Sequence, residues 1–378
     1  MKPALIRPTF GAFVVLAAGP GLLAQSGAGP ITPPSGVAIQ QAPPQKIVSR
    51  VLLVNTPVTV RDAKGQMVST LAAKDFQVTD NGAEQRITHF DLGGDPLSIV
   101  ILVETSSRIA PLLPQIQKTG IVFTEAVMGP NGEAAIVGFN DGVDKLQDFT
   151  PSHDEVEKAI THLQSGTSGC KLYDAMAVGV EMLTARPQAT PSSAGRRRVL
   201  LIVSEAGDGG SEAKLGAVLR LAQLSNITIY SVGISTLRAE MQTPPKDTRV
   251  QPSSPGGFPM PPLPGTPQTP TSEDARYGSG NLANLASLII KGANGEVNGG
   301  NPLELATAAT GGAHLPTFKD RSIEKAMDEI GGELHSQYSL SYTPTGDSVT
   351  GYHEIKIVVD QKGLKVRARP GYYLAPDG

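Results

Sequence analysis

The chain has 378 residues, enough for two domains joined by linkers. A charged fraction of 18% and a net charge of -3 argue against a nucleic-acid partner, because a phosphate backbone calls for clustered excess Lys and Arg. The one cysteine, Cys170, excludes an intramolecular disulfide framework and a Cys-based zinc site, and none of the six His residues has the H-x-x-x-H spacing of a helical zinc site.

At the start, Lys2 and Arg7 precede an apolar run, Phe10 to Ala18, and Leu22-Leu23-Ala24 offers a small-residue cleavage point before Gln25. That is the pattern of an export signal over residues 1–24. The run is interrupted by Gly19-Pro20-Gly21, too short to cross a bilayer, and followed by no cysteine for a lipid anchor. No later segment reads as transmembrane. The expectation is an exported protein, periplasmic or extracellular, with an amphipathic or disordered tail as the alternative reading of residues 1–24. Residues 25–46, rich in Gly, Pro, Ser and Gln, read as a disordered linker.

A β segment follows over residues 47–92. Val51 to Val60 is β-branched, Asp62 to Gly65 is a turn, and the alternating pieces at Phe76 and Arg86 flank Asp80-Asn-Gly82, a strong hairpin signal. This unit is too small to stand alone. From Pro96 the pattern becomes strand, helix, strand. The unbroken run Ile99 to Val103 reads as a strand buried on both faces, ending in Glu104-Thr-Ser-Ser107 just where an open α/β sheet binds ligands.

Helical spacing covers Ile109 to Val127. Glu133 to Phe139 is a second buried strand and Val143 to Phe149 an edge strand. Ser152 with Glu155 is a capping box opening a helix to Leu163. Helices at Leu172–Ala185 and Ser211–Leu224 alternate with strands at Arg198–Ser204 and Ile227–Val232. Gly 42 and Pro 31 are high counts. They dominate residues 240–275, which read as a disordered insert; a short amphipathic helix (Asn281–Lys291) and a flexible patch (Gly292–Gly300) extend it to residue 300.

Leu303 to Thr310 resumes as helix with Gly311-Gly312 as its stop. A strand at Ala313–Phe318 and a helix at Arg321–Gln337 complete the α/β part, residues 93–337. Tyr338–Tyr342, Tyr352–Val359 and Lys365–Arg369 make the tail β again. The expected fold class is α/β: a doubly wound, mostly parallel sheet, with a small β-sandwich-like domain in which residues 338–378 pack with 47–92.

This order, with Val58-Thr-Val-Arg-Asp62, Asp75-Phe-Gln-Val78, Pro96 to Ser107, Leu172-Tyr-Asp-Ala175, Leu201 to Ser204, Leu305 to Gly312, Gln337 to Pro344 and Arg367-Ala-Arg-Pro-Gly-Tyr372, resembles a von Willebrand factor type A (VWFA) domain. More narrowly it resembles the exported VWFA-related domain proteins of acidobacterial genomes. The resemblance implies a Rossmann-like fold and a metal-ion-dependent adhesion site at the top of the first strand. In that family, D-x-S-x-S, a Thr from a second loop and an Asp from a third hold Mg²⁺ or Mn²⁺, leaving one position for a carboxylate of a protein partner.

Carried onto this chain, the first Asp becomes Glu104, the first Ser is Ser106 and the second becomes Arg108. The Thr falls at Cys170, or at Thr167 in a looped alignment, and the third-loop Asp becomes Glu205, with Asp208 nearby. Glu is one methylene longer than Asp, a thiol is a soft ligand, and Arg108 brings a fixed charge to the cation's seat. The reading is a degenerate site. Its binding face is Glu104, Thr105, Ser106, Arg108, Thr167, Cys170, Glu205 and Asp208, and Ser106 and Asp208 are the remaining candidate ligands for Mg²⁺. An Arg108 ion pair with Glu104 or Glu205 is expected to hold the loops instead, so that Arg108→Ala should cost on the order of 3 kcal/mol.

Enzyme motifs are weak. Ser168-Gly-Cys-Lys171 and Lys118-Thr-Gly120 match S-x-x-K and K-T-G in the wrong order and without S-D-N, which is chance. Arg196-Arg-Arg198 reads as a loop flanking a strand, with a docking patch as the alternative. Two function classes remain: a non-enzymatic protein-binding or assembly module, and a hydrolase of envelope material with an unrecognised site. A His within reach of Cys170 or Ser106 would favour the second.

Overall fold

Eight consecutive buried residues form strand β5, Leu97–Glu104. The structure, a computed structural model, describes residues 53–186, 196–235, 301–317, 322–345 and 350–374. The expected signal, linker and insert, with its helix at Asn281–Lys291, lie outside the described residues. A strand can bury every side chain only when both sheet faces are covered. Accordingly Ile99, Ile101 and Val103 enter one apolar core and Val100 and Leu102 the other.

Around β5 lie β6 (Glu133–Phe139), β7 (Val143–Thr150), β8 (Arg197–Ser204), β9 (Ile227–Gly233) and β10 (His314–Pro316). Their order is β10-β9-β8-β5-β6-β7. All neighbours run parallel except β7, antiparallel to β6 at one edge. One face is covered by α1 (Leu113–Lys118), α2 (Gly120–Val122), α3 (His153–Thr161) and α7 (Ile323–Ser336); the other by α4 (Leu172–Thr184), α5 (Leu215–Leu224) and α6 (Pro302–Thr310). The fold is α/β.

Some boundaries differ from the sequence reading. Residues 109–127 are not one helix: a 3-10 turn (Ser107–Ile109) and α1 precede α2, which passes into a π-helical turn, Phe123–Met128. Pro114 sits in the first turn of α1, where a missing N–H costs nothing, and Gly120 follows the break at Thr119. The helix expected from Ser211 begins only at Leu215, because the Ala213 amide donates to Asp174 Oδ1 at 2.8 Å rather than to a helical carbonyl. The capping box is half made. Ser152 Oγ accepts from the Glu155 amide, while the Glu155 carboxylate accepts from Thr150 Oγ1 at 2.6 Å.

The two chain ends interleave. Strands β1 (Val54–Arg61), β4 (Ile87–Leu92), β11 (Tyr338–Tyr342) and β13 (Lys365–Ala368) form a sheet of order β13-β1-β11-β4. A second sheet, β14-β12-β2-β3, joins β2 (Phe76–Asp80) and β3 (Ala83–Gln85) to β12 (Gly351–Val359) and β14 (Gly371–Leu374). Strand β14 has no counterpart in the sequence reading. Val58, Phe76, Tyr338, Ile355 and Tyr372 share one core. Asn81 and Gly82 turn β2 into β3 with φ of 47° and 85°, the left-handed pair of a type I′ hairpin.

Helix α7 runs through Gln337 straight into β11. Its Glu333 is tied to three strands at once. It accepts from Arg61 Nη2 at 2.9 Å, from the Tyr230 hydroxyl at 2.8 Å and from Arg367 Nη2. Burial alone would raise the Glu333 carboxyl, but Arg367 and Arg61 outweigh it and hold it below the usual range.

Candidate functional site

The loops that leave the carboxyl ends of β5, β6 and β8 converge with the turn before α4. Glu104, the last residue of β5, is fully buried beneath them. A carboxylate there must find donors, since burying an unpaired charge is prohibitive. It finds four. Oε1 accepts from Ser106 Oγ at 2.6 Å and from Arg108 Nη2 at 3.4 Å. Oε2 accepts from Ser204 Oγ at 2.8 Å and from the Glu205 amide at 2.9 Å. Both oxygens are thus occupied from within the chain.

The remaining residues of the face are laced around this floor. Thr105 Oγ1 donates to the Phe139 carbonyl and accepts from Asn140 Nδ2, both at 3.1 Å. Thr167 Oγ1 donates to Asn140 Oδ1 at 3.0 Å, while the Ser107 amide donates to the Thr167 carbonyl at 2.8 Å. Asp208 Oδ1 accepts from the Tyr173 amide at 3.0 Å and from Ser211 Oγ at 2.6 Å. The Arg108 guanidinium lies against Gly207, where an added Cβ would stand 3.1 Å from Nη2.

Cys170 is buried, with Sγ donating to the Gly207 carbonyl at 2.9 Å. Burial, reinforced by the charge of Glu104, pushes its thiol up to about 12, toward the protonated form. Glu205 joins the cluster through its backbone amide. All eight residues of the expected face therefore sit at one end of the sheet. Asn140 escaped the sequence reading, and Ser204 entered it only as the end of a strand and not as a site residue. Ser204 ends the apolar run of β8 as Glu104 ends that of β5, and this shared position was the available signal.

Mg²⁺ asks for near-octahedral oxygen ligation; here both Glu104 oxygens are engaged by internal donors and a guanidinium stands beside one of them. Among the described residues no three His, Cys, Asp or Glu side chains come together as a cation cage. The hydrogen bonds of Ser106 Oγ and Cys170 Sγ go to Glu104 Oε1 and to the Gly207 carbonyl.

No protein-family model matches the sequence, and no curated protein matches it. Among solved structures the chain is similar to BatB, a conserved hypothetical protein from Bacteroides thetaiotaomicron, at 12% identity and a TM-score of 0.38, over 63% of this chain and 98% of that one. An aerotolerance-related membrane protein from Bacteroides fragilis gives 12% identity and 0.38 over 63% and 98%. The VWA domain of SpRpn10 gives 14% and 0.29 over 38% and 79%.

Proposed function

We propose that this is an exported, non-enzymatic protein-binding or assembly module that reads its partner with the loops at the carboxyl end of the central sheet. The observation that carries the reading is the self-sufficient floor of that face: the Glu104 carboxylate is saturated by Ser106, Ser204, the Glu205 amide and Arg108. Loops held by such a floor keep their shape without a ligand, while Ser107, Arg108, Asp141, Thr167 and Asp208 stay exposed on the rim. A preformed rim of mixed charge suits recognition of a protein surface, because little ordering entropy remains to oppose binding.

In this reading the face is a metal-ion-dependent adhesion site whose cation has been replaced by a side chain. Arg108 supplies one fixed positive charge and planar donors where a dication would supply two charges. Binding is then insensitive to chelators. Pulldown from envelope extract with the wild-type chain, with and without EDTA, tests this beside an Arg108→Glu/Asp208→Lys variant. The expected result is one partner retained in EDTA and lost in the rim variant. Loss of the partner in EDTA, or retention by the variant, contradicts the reading.

A further inference from the structure

A helix that covers a sheet turns an apolar face to the core and a polar one to water. Helices α3 and α4 obey this. Their exposed residues are Asp154, Glu155, Lys158 and Thr161 in α3, and Glu181 and Thr184 in α4. Along α7, too, every exposed residue but Gly332 is polar. Helix α5 departs from the pattern. Its exposed residues are Ala217, Leu221 and Leu224, and the two leucines are 51% and 37% exposed. They stand at i, i+4 and i+7, which makes one stripe along the helix. The one charged residue of α5, Arg220, is turned aside, with its guanidinium 4.7 Å from the centre of the Tyr373 ring. A helix whose outward stripe is apolar belongs beneath another layer.

The chain itself carries a segment suited to that place. It leaves the described residues after Ser235, just past β9, and returns at Asn301, the cap of α6. Helix α6 lies beside α5, where Gln223 Nε2 donates to the Ala309 carbonyl at 2.8 Å. The amphipathic stretch read from sequence at Asn281–Lys291 precedes Asn301 by about ten residues, which extend to about 33 Å. The distance to cover is about 13 Å of rise along α6 and roughly 8–10 Å between neighbouring helix axes. In that stretch Leu282, Leu285 and Ile289 stand at i, i+3 and i+7, and Lys291 is its one charge. Apolar spacing without charge matches a stripe without charge. A helix so short does not hold in water by itself, so its apolar face needs a surface to lie on.

We propose that residues 281–291 dock on the Ala217-Leu221-Leu224 stripe of α5. The stripe is then an interface within the chain, which fastens the last part of the insert to the α/β layer beside α6.

Hydrogen exchange of the full chain reads the docking. Amides of residues 282–290 should exchange about tenfold or more slowly than an unstructured chain of that sequence, and Leu221→Asp/Leu224→Asp should abolish this protection. Both leucines are exposed, and unchanged exchange in β5 and β8 checks that the variant is folded. Disulfide trapping gives a second readout. In a Cys170→Ser background, Leu221→Cys combined with Leu282→Cys, Leu285→Cys or Ile289→Cys should close a disulfide within one chain for at least one pair. Unprotected amides at 282–290 in the wild-type chain, protection that survives the double substitution, or disulfides that form only between chains would overturn the proposal. The last outcome would give the stripe to a second copy of the chain.

Discussion

Glu104 and Glu333 are both buried carboxylates, yet they are built differently. Glu104 is satisfied chiefly by neutral donors, two serine hydroxyls and an amide, and its one guanidinium partner is 47% exposed. Glu333 faces two arginines, Arg61 and Arg367, whose side chains are 12% and 6% exposed, with the Tyr230 hydroxyl beside them. The first arrangement floors an open set of loops. The second joins α7, β1, β9 and β13. The contrast separates a carboxylate that shapes a surface from one that binds layers together.

The largest effect should come from the second. Glu333→Ala takes the common partner from two buried guanidiniums, and removing one member of a buried ionic cluster costs on the order of 3–5 kcal/mol. Chemical denaturation should show it, and a loss below about 1 kcal/mol would mean that the layers are held by apolar packing instead.

Next is an effect of pH that neither glutamate causes. His314 is buried with Nδ1 2.8 Å from Ser231 Oγ, and burial lowers it to about 4 from an ordinary 6.5. Its folded pKa is depressed, so the unfolded chain binds the extra proton between those values. Stability is therefore complete above pH 6.5 and falls as pH drops toward 4, by roughly 3 kcal/mol. His314→Asn should flatten that part of the stability–pH curve. An unchanged slope would assign the acid sensitivity elsewhere.

The smallest effects sharpen the comparison at Glu104. Ser204→Ala removes a fully buried donor and should cost about 1–2 kcal/mol. Arg108→Ala should cost under about 1 kcal/mol, since the pair is partly solvated and spans 3.4 Å. This replaces the value of about 3 kcal/mol expected from sequence, which assumed a partly buried pair in which two acids lose their partner. If the two losses ranked in the opposite order, the guanidinium and not the serine would be the main support of the floor.

Much of this was legible in the sequence where physics is local. Ile99 to Val103 could only be a doubly covered strand, and Asn81-Gly82 could only be a tight hairpin turn. Residues 338–378 were expected to pack with 47–92, but the register of that pairing was not legible. Val54 pairs with Tyr342 and Arg61 meets Glu333 across more than half the chain, and no spacing rule reaches that far. Ser204 became a partner of Glu104 only because β8 lies beside β5. The residues named for the strand-end face lie at one end of the sheet, but their exposure, on which the energy of Arg108 turns, had to come from the structure.

Isothermal titration of MgCl₂ into the purified chain tests the central claim, that the strand-end face is complete without a cation, most directly. With both Glu104 oxygens held by internal donors, the account predicts only heats of dilution and an unfolding midpoint unmoved by EDTA. Stoichiometric binding at about micromolar Kd, lost in Ser106→Ala, would contradict it and restore a working metal site.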